Sequence, residues 1–148
     1  MNDLEHSYLV FRLGGLLYGS PLTHIRKVIP VPSIKTVPSR KDYLRGVINL
    51  RGQIISVIDL RKKFGLETTE DPQNLILVVA VDSKDIGFIA DGGDSVVTIE
   101  DPDISRPDLT SSQAVKNIPS EYFLGIGKHQ NREIHLVNLA GLVKSSAD

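Results

Sequence analysis

The sequence predicts an all-β fold made of two packed lobes, and three observations carry that expectation. Ile and Val supply 29 of the 148 residues and lift the apolar share to 41%, a β-branched bias that suits pleated strands better than long helices. The apolar runs are of strand length and stop at Gly, Pro, Asn or Asp, while helical spacing never persists beyond a single turn. Finally, the chain repeats itself. Laying GVINLRGQIISVIDL over GIGKHQNREIHLVNL, at a constant offset of 79 residues, aligns Gly46 with Gly125, Ile55 with Ile134, Val57 with Leu136 and Leu60 with Leu139. Asp59 then falls on Asn138, and weaker echoes set Tyr18-Gly19 on Ile86-Gly87 and Val28-Ile29 on Val96-Val97.

The elements follow in order. Leu9, Phe11 and Leu13 alternate, Gly14-Gly15 turns the chain, and Leu16 to Tyr18 returns it, a strand, turn and strand ended by Pro21. Leu22, Ile25 and Val28 recur at intervals of three, which predicts one helical turn before the extended segment VIPV. Pro30, Pro32 and Pro38 make residues 30 to 45 a surface crossing. Gly46 to Leu50 and Ile54 to Ile58 form an antiparallel pair around Arg51, Gly52 and Gln53, and Asp59 caps a short turn, LRKKF, that Gly65 stops. The acidic stretch ETTEDPQ is the expected boundary between lobes. Beyond it NLILVVAV and DIGFIAD pair, DSVVTIE continues the sheet, residues 101 to 120 cross irregularly, and YFLGIG, REIHLVNL and a final turn near Val143 close the chain.

Several short strands without helical cover must protect their edges, which predicts that each lobe curves into a small barrel. Packing of one lobe on the other then adds a third apolar layer and explains why IISVI and LILVVAV are nearly continuous, one face in a lobe and the other at the junction. The expected lobes are residues 16–66 and 73–143, with terminal strands open to exchange between them.

Composition excludes several classes. There is no Cys, so disulfide frameworks and thiolate metal sites are out. The amino end is acidic where a secretory signal needs a basic stretch, and no apolar run approaches the roughly 20 residues that cross a bilayer, so a cytoplasmic protein without membrane insertion is expected. The net charge of −1 hides 11 basic against 4 acidic side chains in residues 1–66 and 6 against 14 in residues 67–148. Such a division can steer oppositely charged partners, although folding can interleave the halves.

At DYLRGVINLRGQIISVIDLRKKFG the sequence resembles the CheW family of chemotaxis coupling proteins, whose pattern is Gly-Val-x-Asn-Leu-Arg-Gly before an apolar run and Asp-Leu-Arg. Supporting segments are YLVFRLGGLLYGSPL, IGFIAD, and YFLGIG with IHLVNLAGLV, so the likeness spans nearly the whole chain, residues 7–145 as a single CheW-like domain. It implies two packed five-stranded SH3-like barrels with short helical turns, and a non-enzymatic adaptor, with no cofactor, that joins the cytoplasmic tip of methyl-accepting chemoreceptors to the regulatory domain of a CheA-type histidine kinase. CheW-like ring partners and membrane receptor arrays reached through protein contacts are implied as well, in swimming or another chemosensory response.

By the same resemblance Arg51 is the leading binding residue, at a receptor-facing groove, and Ile25 is an apolar position on the same general face. An internal clamp to a carboxylate or carbonyl is the alternative for Arg51, since a guanidinium offers five directional donors. Asn49 is a further protein-binding candidate, with satisfaction of the turn as its structural alternative, Gly52 is read as permitting the turn, and Asp59 as a cap with a minor interface role. Lys27 stands where the family commonly has a glutamate, Ser56 where it has a proline, and Gly93 where it has an apolar residue. Lys27 is therefore a specificity candidate, with a solvated lysine as the alternative. Gly87 and Asp91 are turn or cap candidates from the surviving Gly-x-x-x-Asp pattern.

Catalytic chemistry finds no footing. His6, His24, His129 and His135 form no compact ligand pair, and no nucleophile and base, phosphate loop or paired carboxylates stand at diagnostic spacing. Asp91, Asp94 and Glu100 are able to share an edge, as many surface carboxylates do. The rival reading is a nucleic-acid-binding barrel, with Arg40, Lys41, Arg45 and Arg51 around a stacking Tyr43. An aromatic share of 5% and an acidic second half weigh against it.

Overall fold

The computed structural model describes residues 5–39, 41–68, 71–105 and 123–145. Eleven strands are described: β1 (Ser7–Leu13), β2 (Leu16–Pro21), β3 (Ile25–Pro30), β4 (Leu44–Leu50), β5 (Gln53–Asp59), β6 (Leu75–Val81), β7 (Lys84–Ala90), β8 (Gly92–Thr98), β9 (Ile104–Ser105), β10 (Phe123–His129) and β11 (Arg132–Val137). The helical pieces are short, as expected: α1 (Leu60–Lys63), α2 (Leu139–Ser145) and 3-10 turns at Leu22–His24 and Asp101–Asp103. Of the second irregular crossing, residues 106–120 lie outside the described residues.

The strands form two sheets, in the orders β8-β1-β2-β11-β10-β9 and β3-β6-β7-β5-β4. Each lobe therefore has five full-length strands, in two SH3-like subdomains, and the first sheet gains the two-residue β9. In both sheets the outermost strands are consecutive in the chain, β8 with β9 and β3 with β4. The chain leaving β3 comes back along the free edge of β4, where Lys35 and Val47 exchange backbone hydrogen bonds of 2.8 and 2.9 Å. This contact covers part of the β4 edge that an open sheet would leave free.

The lobes do not divide the chain at the acidic stretch. That segment separates α1 from β6, which belong to the same lobe, so the expected limits 16–66 and 73–143 do not describe the two sheets. Instead the repeats exchange hairpins. The β6–β7 hairpin of the second repeat completes the sheet of β3, β4 and β5, and the β1–β2 hairpin of the first completes the sheet of β8 to β11. The exchanged hairpins are joined to their hosts by parallel pairs at equivalent places, Val57 with Gly87 in one lobe and Leu136 with Gly19 in the other.

Three apolar clusters result. Ile48, Ile55, Val57, Ile76, Val78 and Ile89 fill one lobe, and Val10, Val97, Ile99, Ile134 and Leu136 fill the other. Between them lies the largest, including Phe11, Tyr18, Phe64, Leu77, Val79, Phe88 and Leu139. Along β6 the side chains alternate between lobe and junction, Ile76 and Val78 inward and Leu75, Leu77 and Val79 to the junction, because successive strand residues point to opposite faces. The near-continuous LILVVAV run is thus buried on both faces. In IISVI the pattern differs, since Ile54 is 62% exposed and only Ile55, Val57 and Ile58 are buried.

Candidate protein-binding site

The β4–β5 hairpin turns in two residues. Leu50 pairs with Gln53, and Arg51 and Gly52 both have positive φ, 52° and 85°, the twist that matches right-handed strands. Asn49 Oδ1 accepts the Gly52 N–H at 2.8 Å, so the asparagine closes the turn. The Arg51 side chain is exposed and makes no hydrogen bond or ion pair with a described residue, so the internal clamp finds no acceptor among them. Ile54, missed in the sequence, pairs with Asn49 across the hairpin and adds an exposed apolar side chain beside Arg51. Strict alternation from Ile55 and Val57 would have pointed to it.

Ile25 and Lys27 lie on β3, the other outer strand of the same sheet. A cross-strand row runs Ile25, Val79, Ile86, Ser56, Val47, and directly paired residues share a face. Ile25 and the hairpin therefore belong to one face whose middle is covered by the junction, and they flank it from opposite edges without touching. Lys27 is exposed, beyond a register shift after Ile25. Ser56 is half-buried in mid-strand. Gly93 leaves its strand intact, since its carbonyl accepts from Arg12 Nη1 at 2.6 Å and a Cβ there would come within 3.3 Å of Leu75.

Asp59 caps α1 and does more. Its Oδ1 accepts from Arg61 N at 3.0 Å and Arg61 Nε at 2.9 Å, its Oδ2 from Arg61 Nη2 at 3.0 Å, and Arg45 Nη1 stands 3.9 Å away. Arg61 Nη1 also reaches Asp91 Oδ1 at 3.3 Å, while Asp91 Oδ2 accepts from Gly14 N at 2.8 Å. Asp91 is thus a turn residue that ties both lobes together. Burial disfavours the Arg61 charge, but the hydrogen bonds and charges of Asp59 and Asp91 outweigh it and raise the guanidinium pKa. Gly87 is neither turn nor cap: it sits in mid-β7, where a Cβ would come within 2.8 Å of Ile76, a glycine that allows close strand packing.

The other polar groups are dispersed. His6 lies 3.5 Å from Glu100, and His135 Nδ1 lies 2.9 Å from the Leu17 carbonyl with its ring 5.4 Å from that of Tyr18. Burial alone pushes the Tyr18 hydroxyl up to about 12. Asp94 is engaged by Arg132 at 3.0 Å rather than by Asp91 or Glu100. No group of three metal-ligating side chains occurs among the described residues, and none of their helices is long and apolar enough to cross a membrane. Of the nucleic-acid patch the structure brings together a part: Lys41 Nζ lies 5.9 Å and Lys63 Nζ 4.3 Å from the Tyr43 ring centroid, whereas Arg51 is at the far end of β4, roughly 25 Å away at strand rise; Arg40 lies outside the described residues.

Two wrapped β lobes thus share an apolar junction and present exposed turns, the architecture of a two-lobed β domain. A family model described as CheW-like domain matches residues 7–147, and the chain belongs to that family. It is 25% identical to chemotaxis protein CheW of Treponema pallidum (strain Nichols), over 98% of this chain and 86% of that one. With chemotaxis protein CheW of Bacillus subtilis (strain 168) it shares 29%, over 88% and 81%. Its fold is similar to the crystal structure of the scaffolding protein TtCheW from Thermoanaerobacter tengcongensis, with a TM-score of 0.81 and 30% identity over 95% of this chain and 89% of that chain.

Proposed function

We propose that this chain is a non-enzymatic adaptor that couples chemoreceptors to a CheA-type histidine kinase. CheW family proteins generally bind CheA and chemoreceptors, and the family match across residues 7–147 carries the reading. The receptor tip docks along the face that Ile25 and the Asn49–Arg51 turn flank, with Lys27 at its border beyond the register shift in β3, and the regulatory domain of the kinase takes a separate surface. The protein works in the cytoplasm, held at receptor arrays by these contacts. Coupling requires that it bind one kinase state more tightly than the other, since equal affinity for both assembles a complex but shifts nothing.

Reconstitution tests this. Receptor, kinase and this chain together should form a complex in which receptor ligand changes kinase autophosphorylation, and omission of the chain should remove that control. A chain that binds neither the receptor tip nor the regulatory domain overturns the reading, and binding without control reduces it to scaffolding. The Lys27 contribution is read by Lys27→Glu: unchanged affinity for both proteins removes it from specificity.

A further inference from the structure

The internal repeat sets one wall of the lobe junction over the other. At an offset of 79 residues Asp59 corresponds to Asn138 and Arg61 to Ala140; at the offset of 68 that relates the two hairpins, Arg12 corresponds to Ala80 and Asp91 to Thr23. On the first wall these side chains close the junction, with the Arg61 guanidinium, only 3% exposed, between Asp59 and Asp91. On the second wall every one of these charged residues is replaced by a neutral one, and both arginines by alanine. What remains is an open cleft of about 530 Å³ lined by Thr23, His24, Arg26, Ala80, Asn138 and Ala140.

The lining has a definite chemistry. Arg26 is held by Asp85 at 3.0 Å, so the rim carries no net charge. His24 Nδ1 is buried without a hydrogen-bond partner among the described residues, and burial lowers the imidazole pKa, which keeps the ring neutral near pH 7. The Asn138 oxygen accepts from Gly141 N at 3.2 Å, leaving its NH₂ group, with the Thr23 hydroxyl, to face a ligand. A charged group entering here would lose hydration without gaining a counter-ion, whereas a group with both a donor and an acceptor can satisfy the lining.

We propose that this cleft is a docking pocket for an uncharged carboxamide side chain, glutamine or asparagine, presented by a partner protein. The aliphatic stem packs on the Ala80 and Ala140 methyls, where the first wall has arginine stems, and the amide head meets the Thr23 hydroxyl and the Asn138 NH₂ group, with the His24 ring beside it. The proposal rests on the adaptor reading above and adds to it the residue class that the partner must supply.

Two measurements on the full chain test it. In methyl and aromatic NMR titrations, propionamide should shift the Ala80 and Ala140 methyls and the His24 ring at millimolar concentration, while propionate and propylammonium should not. Equal shifts from the ions, or none from the amide, overturn the proposal. In binding assays with the receptor tip and with the kinase regulatory domain, Ala140→Leu should fill the cleft and weaken one of the two at least tenfold. Thr23→Val, which keeps the volume and removes the hydroxyl, should weaken the same partner at least threefold with an unchanged circular-dichroism spectrum. Wild-type binding to both partners that neither variant alters overturns the pocket and leaves the adaptor reading standing; wild-type binding to neither overturns both.

Discussion

Arg61 carries a charge that the lobe junction cannot leave uncompensated, because Asp59 beside it is 1% exposed and Asp91, at the crossover from β7 to β8, reaches it as well. Removing one member of such a pair strands the other in a medium that solvates it poorly. Arg61→Met should therefore cost about 3–5 kcal/mol in urea unfolding, and Asp91→Asn clearly less, since the amide oxygen still accepts from Gly14. Arg51 is the opposite case: exposed and without a described partner, its replacement by Ala should change stability by no more than about 0.5 kcal/mol while weakening receptor binding at least tenfold. Acid titration isolates a third residue. The Arg132 hydrogen bonds, then that of Ser95, hold Asp94 below its ordinary value of 3.8. A lowered folded pKa means that the pair stabilises the protein above the unfolded pKa and loses that contribution as pH falls through the folded one. The stability difference between wild type and Asp94→Asn should thus be present at neutral pH and shrink below about pH 4.

Glycines in the hairpins separate conformational from steric demand at the scale of the element. Gly52 has φ 85° and open space where a Cβ would stand, with nothing within 4 Å, whereas Gly46, at φ 149°, would drive a Cβ into the Lys35 carbonyl. Gly52→Ala should cost about 1 kcal/mol, and Gly46→Ala several times as much, because it also breaks the Lys35–Val47 bridge that wraps the lobe; equal midpoint shifts in thermal unfolding would show that the bridge contributes nothing. Strand positions and turn residues are legible in the sequence because they depend on local pattern: Gly14-Gly15, Arg51-Gly52 and the double-faced LILVVAV all follow from it. Ile54 is legible only in part: alternation from Ile55 and Val57 turns it away from the lobe core, but the same rule groups it with Ile58, which the junction buries. Gly87 misleads because a glycine that serves close packing looks, in one dimension, like a glycine that serves a turn. The burial of Arg61 is hidden because the Asp59 beside it reads only as a cap and its second partner, Asp91, lies 30 residues away.

At the scale of the molecule, the repeat is visible in the sequence but the partner of each hairpin is not, as pairing between distant strands leaves no periodicity to read. The exchange has two consequences. Charge is spread more evenly than the chain halves suggest: residues 22–91, which supply the five-stranded sheet, carry 11 basic and 8 acidic side chains, and the remainder 6 and 10, so electrostatic steering by either lobe is modest. Stability, in turn, cannot be assigned lobe by lobe. Phe11 and Tyr18 from one sheet and Leu77, Val79 and Phe88 from the other meet in the largest cluster, and opening either sheet exposes it to water. The lobes should therefore unfold together, in one transition that is the same by circular dichroism and by tyrosine fluorescence. Native-state hydrogen exchange gives the sharper reading, because the amides of Val10 and Val78, each inside a different lobe, should exchange with the same opening free energy and the same denaturant dependence. Protection that vanishes first in one lobe would mean that each barrel holds its shape without the junction, and that the exchanged hairpins bind the lobes less tightly than their shared core implies.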